Sequence, residues 1–438
     1  MIIVAKFGGS SLADSRQFKK VRDIVHFDKT RSIVVLSAPG KRSGDDHKIT
    51  DLLYLCHAHL KYGVSYSDIF ELIKERFFEI AAECEIELDL ELEFAEIASK
   101  MNKHMSTDYL ASRGEYLAAK LMAKYIGYEF VDASELIFFG YDGKVDFQKT
   151  NEAIARAHES FGNIAIPGFY GSMPDGKIRT FSRGGSDITG AIAAAAVNAN
   201  TYENWTDVAG ILMADPHIVE NPRAIERITY SELRELSYMG AEVLHEDAVL
   251  PVRNGKIPLN IRNTNSPNSN GTYIQESFEE NAEELSRFIT GISGKKHFSI
   301  ITLAKSGMSG GFGTVRKALE ATEKFSVNVE HVLSGVDSFS LVVSTDAVSR
   351  CIYDLISEIK RLCEPDTIGV ADGISLVAVV GRRMAQKPGI SGKLFRALGD
   401  NGINIRMIDQ GADEINIIVG VNDSDFQKTI RVLYNSFA

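Results

Sequence analysis

The sequence predicts an α/β protein, with a mostly parallel sheet sandwiched by helices and two small α+β modules after it. Up to about residue 290, short continuously apolar runs alternate with longer amphipathic segments, as where buried parallel strands are joined by crossover helices. Polar, glycine-rich residues follow those runs, which places the chemistry at strand ends. Beyond about Arg287 the texture changes and one β-α-β-β order appears twice, a sign of internal repetition.

In chain order, Ile2–Ala5, Ser32–Leu36 and Asn163–Ile166 read as buried strands, being continuously apolar and partly β-branched. A weaker strand candidate lies near Tyr202. Residues 64–110 are acidic, helical in pattern and without strand signals, and are expected to form a helical insertion lying over the sheet. Lys6-Phe7-Gly8-Gly9-Ser10-Ser11 follows the first strand, Ser37-Ala38-Pro39-Gly40 the second, Pro167-Gly168 the third and Thr206-Asp207 the fourth. Ligands of open α/β sheets bind outside the carboxyl ends of the strands, so these four ends predict one crevice.

In the C-terminal part, Ser299–Leu303, a helix from Gly311, Val327–Val332 and Ser338–Val343 form the first repeat. Ser375–Val380, a helix from Gly389, Asn404–Ile408 and Ile415–Val419 form the second. Both carry Ala-Leu in the helix (Ala318-Leu319, Ala397-Leu398) and then an alternating Val327-Asn328-Val329 or Ile403-Asn404-Ile405. The second copy runs out of chain before its fourth strand, and Phe288–Ile292 is the natural donor.

A net charge of −11 argues against nucleic-acid binding and requires any anion site to gather its own local positive charge. Cys56, Cys84, Cys351 and Cys363 lack disulfide or zinc spacing, which fits a reducing cytoplasm. His57 and His59, beside Cys56, lie two apart in a helical run and point away from each other, so no metal site is expected. The N-terminus has no signal-peptide layout, and the longest apolar stretch, Ala191–Val197, is too short to span a membrane.

Neither GxxxxGK[ST] nor a strand-following GxGxxG is present. In their place stands Lys6-Phe7-Gly8-Gly9-Ser10. Its glycines either let backbone N–H groups approach phosphate or simply make a tight βα turn, and Lys6 supplies a point charge suited to phosphoryl transfer. The run Phe181-Ser182-Arg183-Gly184-Gly185-Ser186-Asp187 opens an alanine-rich helix. Ser186 or Asp187 could cap that helix, whereas Arg183 suits bidentate capture of a carboxylate. Ser112-Arg113-Gly114-Glu115 is expected to begin another helix, where a carboxylate is favourable in any case, and Thr206-Asp207 reads as a strand-end site or a turn.

Together KFGGSS, SAPGKR with Lys48-Ile49-Thr50-Asp51, SRGE, RGGSD, TDV, GAEVLH and the twin repeats resemble the amino acid kinase family, and within it the aspartate kinases. The repeats resemble ACT domains. The resemblance implies a catalytic domain over 1–286, a first ACT domain over 298–373, and a second over 374–438 completed by 287–297. It implies ATP and L-aspartate as substrates, with Mg²⁺ held mainly by the ATP phosphates. Lys6 would bridge the transferring phosphate and the substrate carboxylate, Gly8, Gly9 and Ser10 would line the phosphate path, and Asp187 would orient Lys6. Ser37, Thr50 and Ser186 would belong to the aspartate side, Glu115 would hold the α-ammonium and Arg183 the α-carboxylate. Thr206 and Asp207 would meet the nucleotide, as would Leu212 and His217, which stand where the family commonly shows tyrosine and arginine. Glu242 replaces a frequent lysine. A fused homoserine dehydrogenase is not expected, since no Rossmann fingerprint follows before Ala438. Pairing of ACT domains in a homodimer or dimer of dimers is expected, with an amino-acid effector at Met308, Gly311, Phe312, Asn328, Glu330 and Asp337. The two acidic side chains favour L-lysine over threonine. The competing readings are a relative acting on another acyl substrate and an effector-binding protein with a decayed catalytic half.

Overall fold

The computed structural model describes residues 1–182, 184–241, 244, 246–278, 288–308, 313–384, 387–411 and 413–437. Arg183, Gly311 and Phe312 of the expected sites, and the Glu242 departure, lie outside the described residues. The chain forms two compact units. The first holds Met1–Ile211, Ala224–Tyr230 and Val243–Phe278; the second holds Leu212–Arg223, Ser231–Glu242 and Glu279–Ala438.

The first unit is built on an eight-stranded sheet. Its order is Glu129–Phe130, Ile164–Pro167, Ile33–Leu36, Ile3–Phe7, Thr201–Thr206, Leu259–Asn263, Thr272–Gln275 and Arg227–Thr229. The first six run parallel, and only the last two are reversed. The strands up to Ile164–Pro167 lie to one side of Ile3–Phe7 and those from Thr201–Thr206 onward to the other, so the order reverses at that central strand. The register levels the strand ends: Phe7 lies opposite both Leu36 and Trp205, and Leu36 opposite Pro167. Ile3–Phe7 and Ile33–Leu36 are buried throughout, as the continuous apolar runs demand.

The helical insertion comprises Ser67–Glu83 and Leu90–Lys100, and the long helix Thr107–Ile126 follows it. Phe70, Ile73, Phe77, Phe94 and Ile97 join one core with Phe7, Leu36, Leu117 and Leu121, so these helices pack on the sheet face. Thr107–Ile126 starts at its cap Ser106, whose side chain accepts from the Tyr109 N–H. The expected helix start at Ser112-Arg113-Gly114-Glu115 is therefore corrected to an interior position, because the Ser106 cap satisfies the helix end two turns earlier. His57 and His59, in helix Ile49–Tyr62, bond the carbonyls of Met105 and Ser65 at 3.0 and 2.7 Å, structural roles that join this helix to the insertion. All four cysteines are free, and burial pushes the Cys56 thiol up to about 12, which leaves it unreactive. Among the described residues no helix is long and apolar enough to cross a membrane.

The second unit carries a six-stranded antiparallel sheet. Its order is Val329–Ser334, Ser338–Ser344, Gly291–Ala304, Thr367–Val380, Asn416–Asn422 and Met407–Asp409. The two central strands are each 14 residues long and serve both repeats. Phe298–Ala304 pairs with Ser338–Ser344 in the first repeat, while Gly291–Lys295 pairs with Leu376–Val380 in the second, with a register shift between the two halves. Thr314–Lys324 and Ile352–Cys363 cover the first repeat; Ile390–Asp400 and Phe426–Phe437 belong to the second.

Candidate active site

Lys6 sits at the end of the central parallel strand with 7% of its surface exposed. Its ammonium lies 2.6 Å from Asp187 Oδ1 and 3.3 Å from Asn204 Oδ1. Asn204 Nδ2 in turn donates to Asp187 Oδ1 at 2.8 Å, and the Tyr202 hydroxyl donates to the Asp187 carbonyl at 3.0 Å. A lysine ammonium has three donors, so this arrangement occupies two and leaves one for a ligand. Gly8 supplies the space beside it: a side-chain carbon there would lie 3.4 Å from Lys6 Nζ. The Gly8 N–H donates to the Trp205 carbonyl at 2.9 Å, so Gly8 offers room at the cleft rather than a phosphate donor.

The glycine turn touches the second strand-end loop directly. Gly40 N–H donates to the Gly9 carbonyl at 2.8 Å, and a side-chain carbon on Gly40 would fall 2.7 Å from the Gly9 backbone. No other residue fits that approach without displacing one of the loops. Ser37 N–H donates to the Phe7 carbonyl at 3.1 Å, which joins the same two loops on the other side of Ala38. Ser186, in the first turn of helix Gly185–Ala196, packs against Gly168 at the end of the third strand.

Glu115 reaches this cluster from the middle of Thr107–Ile126 because Gly114 has no side chain. A carbon there would lie 2.8 Å from Ala38 Cβ and 3.2 Å from Leu53. Glu115 is 5% exposed, and its Oε2 has no hydrogen-bond partner. Burial pushes its carboxyl up to about 8 against the opposing pull of the Ala38 N–H, its own N–H and Arg113. A buried carboxyl with a vacant acceptor is suited to an ammonium group. Arg113 is occupied elsewhere, stacked over Tyr109 and Tyr116 at 4.6 and 4.4 Å and bonded to Ser112 Oγ.

Of the other expected residues, Ser10, Ser37 and Thr50 are half-buried, with Thr50 in the first turn of Ile49–Tyr62. Thr206 Oγ1 donates to the exposed Asp207 at 3.1 Å. Leu212 and His217 belong to the second unit, where His217 is 91% exposed and bonds Asp215 at 3.0 Å. Asn204 and Tyr202 were missed by the sequence reading. The signal was available: Thr201–Thr206 reads TYENWT, and adjacent polar residues in a central buried strand need partners.

At the other expected site, Glu330 accepts from the Tyr238 hydroxyl at 2.5 Å and from Asn328 Nδ2 at 3.2 Å. Asp337 accepts the Met308 N–H at 3.2 Å. In the second repeat, Met384, Lys387, Gly389, Gln410 and Glu414 help line a cavity of 560 Å³.

The amino acid kinase family profile matches residues 1–263, and an ACT domain profile matches residues 377–437. Aspartokinase 3 of Bacillus subtilis (strain 168) is 34% identical over 449 residues, spanning 99% of this chain and 98% of that one. The chain belongs to the aspartokinases of the amino acid kinase family. The crystal structure of Clostridium acetobutylicum aspartate kinase is similar at 50% identity, with a TM-score of 0.94 over the whole of both chains. Two structures of E. coli aspartokinase III are similar at 25% identity, each covering 100% of this chain and 99% of its own. Its complex with aspartate and ADP (R-state) gives a TM-score of 0.75, and its complex with lysine and aspartate (T-state) gives 0.74. This chain is thus an aspartokinase with a C-terminal ACT region.

Proposed function

We propose that this aspartokinase transfers the γ-phosphoryl group of ATP to the side-chain carboxylate of L-aspartate. The products are ADP and 4-phospho-L-aspartate, the first step towards lysine, threonine and methionine. A carboxylate oxygen bonds to the γ-phosphorus as the bond to the ADP oxygen breaks. The carrying observation is the juxtaposition around Ala38: its carbonyl packs on Gly9, whose turn bears Lys6, and its N–H bonds the buried Glu115 carboxyl. A cation for the phosphoryl group and an anion for an ammonium then flank one loop, as an amino-acid phosphoacceptor requires.

In this reading Asp187 and Asn204 hold the Lys6 ammonium at the position where negative charge develops, so no reorganisation is needed during transfer. Gly8, Gly9 and Ser10 line the phosphate path. Glu115 binds the α-ammonium, Arg183 the α-carboxylate, and Ser37, Thr50 and Ser186 complete the aspartate side. Thr206, Asp207, Leu212 and His217 serve the nucleotide. Mg²⁺ arrives with ATP, held by phosphate oxygens and water, a mode that asks little of the protein.

Regulation is proposed at the first repeat, with L-lysine as effector, its ammonium taken by Glu330 and Asp337 beside Met308, Asn328, Gly311 and Phe312. The relative solved with lysine in a T-state supports this choice. Pairing of ACT domains in a homodimer or dimer of dimers, in the cytoplasm, completes the reading, with domain limits of 1–286, 298–373, and 287–297 with 374–438. The test is purified protein with Mg-ATP and a panel of carboxylate amino acids, trapping acyl phosphate with hydroxylamine. Trapped product with aspartate supports the reading; product only with glutamate or acetylglutamate overturns it.

A further inference from the structure

Arg76 has no part in the reaction as described, yet it is 4% exposed and lies in helix Ser67–Glu83 of the insertion. Removing a guanidinium from water costs several kcal/mol, and apolar replacements of buried ion pairs are often neutral or stabilising. Fold stability alone is therefore a poor reason to bury it. Its partners suggest a better one. Nη1 donates to the Ala13 carbonyl at 3.3 Å and to the Gly40 carbonyl at 3.1 Å. Nη2 donates to both oxygens of Asp46 at 2.8 and 2.7 Å. Ala13 directly follows the Gly9–Leu12 turn, and Gly40 is the residue pressed against Gly9. Asp46 lies in the exposed stretch before helix Ile49–Tyr62, which carries Thr50. Asp46 is gripped again by Arg42, whose Nε and backbone N–H both donate to it.

We infer that Arg76 is a positioning residue that ties the phosphate-side turn and the aspartate-side loop to the helical insertion. One planar fork holds the residue that closes the Gly9–Leu12 turn and the residue pressed against Gly9, so the contact between the two loops is braced from outside the crevice. Lysine cannot reproduce this, since a single ammonium lacks the fork. Burial raises the Asp46 carboxyl, but the Arg42 N–H and guanidinium, the His47 N–H and Arg76 outweigh it and hold it well below the usual carboxylate range. The clamp thus stays charged across the working pH range.

The inference rests on reading this crevice as the site of phosphoryl transfer, and the test separates the two. Arg76→Met keeps the stem's packing and removes the fork. The expected result is a loss of kcat/KM of about 10- to 100-fold for aspartate and for ATP alike, because both loops shift. Amide exchange in ligand-free protein should quicken in residues 9–13 and 38–46, with a thermal midpoint within a few degrees of wild type. Arg76→Lys should recover only part of the activity, and Asp46→Asn should show a smaller loss in the same direction. A folded Arg76→Met with unchanged exchange in both loops overturns the inference, whether or not wild type phosphorylates aspartate. So does a lowered thermal midpoint with unchanged kcat/KM for both substrates.

Discussion

In the eight-stranded sheet the decisive polar residues are interior: Glu203 and Asn204 are 3% and 4% exposed in a central strand. In the six-stranded sheet the polar residues of interest, Asn328, Glu330 and Asp337, lie on or beside the edge strand Val329–Ser334, and Asp337 is exposed. Interior polar groups must be satisfied by the fold itself. Glu203 accepts from Arg31 at 2.7 and 3.1 Å, from Trp205 Nε1 at 2.9 Å and from Arg262 at 3.1 Å, which leaves the strand beside Lys6 no freedom to shift. The edge groups are instead held by a few near neighbours, Glu330 by Tyr238 and Asn328 and Asp337 by the Met308 N–H. The first arrangement suits chemistry that needs preset charge; the second suits a ligand that must exchange one partner for another.

Substitutions in the two regions should therefore differ in size. Lys6→Met should have the largest effect, lowering kcat by about a hundred- to a thousandfold through loss of a transition-state contact. Steady-state rates of acyl phosphate formation check this, and a change confined to the ATP requirement would contradict the role given to Lys6.

Next comes Glu115→Gln, which should raise the aspartate requirement about 10- to 100-fold by removing a charge-assisted bond to the ammonium. The same residue links activity to pH. Its folded-state value of about 8 lies above the ordinary 4.5, so the native state favours the neutral form. Stability from this group is complete below about 4.5 and is lost as pH rises from there to about 8. Aspartate binding needs the carboxylate, so the aspartate KM should fall over the same rise. Glu115→Gln should flatten the pH dependence of the thermal midpoint, and a slope identical to wild type would show that Glu115 is not the titrating group.

A smaller effect is expected at the edge. Glu330→Gln should weaken lysine inhibition by up to about fivefold, since partly exposed charge pairs contribute little, and should leave the uninhibited rate intact. Inhibition curves with lysine and with threonine check it. Unaltered lysine inhibition, or inhibition by threonine alone, would remove Glu330 from the effector site. His217→Arg should be the smallest, at most about twofold in ATP affinity, because the side chain is 91% exposed. A tenfold change would give that segment a larger share of nucleotide binding.

Much of the first region was legible from local pattern. Lys6, Gly8 and Gly9 stand after a buried run, and Asp187 stands in the first turn of a small-residue helix; both placements depend on neighbours within a few residues. Glu115 was legible as a candidate, but its helix start was misread, because Ser106 caps six residues before Ser112 and nothing in Ser112-Arg113-Gly114 marks a helix interior. Asn204 escaped because its partners Lys6 and Asp187 lie 198 and 17 residues away. A donor run was expected at Phe288–Ile292, whereas the pairing with Leu376–Val380 is made by Gly291–Lys295; the two 14-residue strands shared by both repeats were not visible, since each half alone looks like an ordinary short strand.

By itself, then, the sequence determined the buried parallel strands, the glycine turns at their ends and the repetition that follows. Each of these follows from side-chain periodicity and backbone sterics over a few residues. Tertiary structure alone decided that Asn204 holds Lys6 against Asp187, that Glu115 is buried with a vacant oxygen, and that Arg76 reaches Ala13 and Gly40 from 63 and 36 residues away. Those facts come from sheet register and helix packing, which bring distant residues within hydrogen-bond range and set how much water each one keeps.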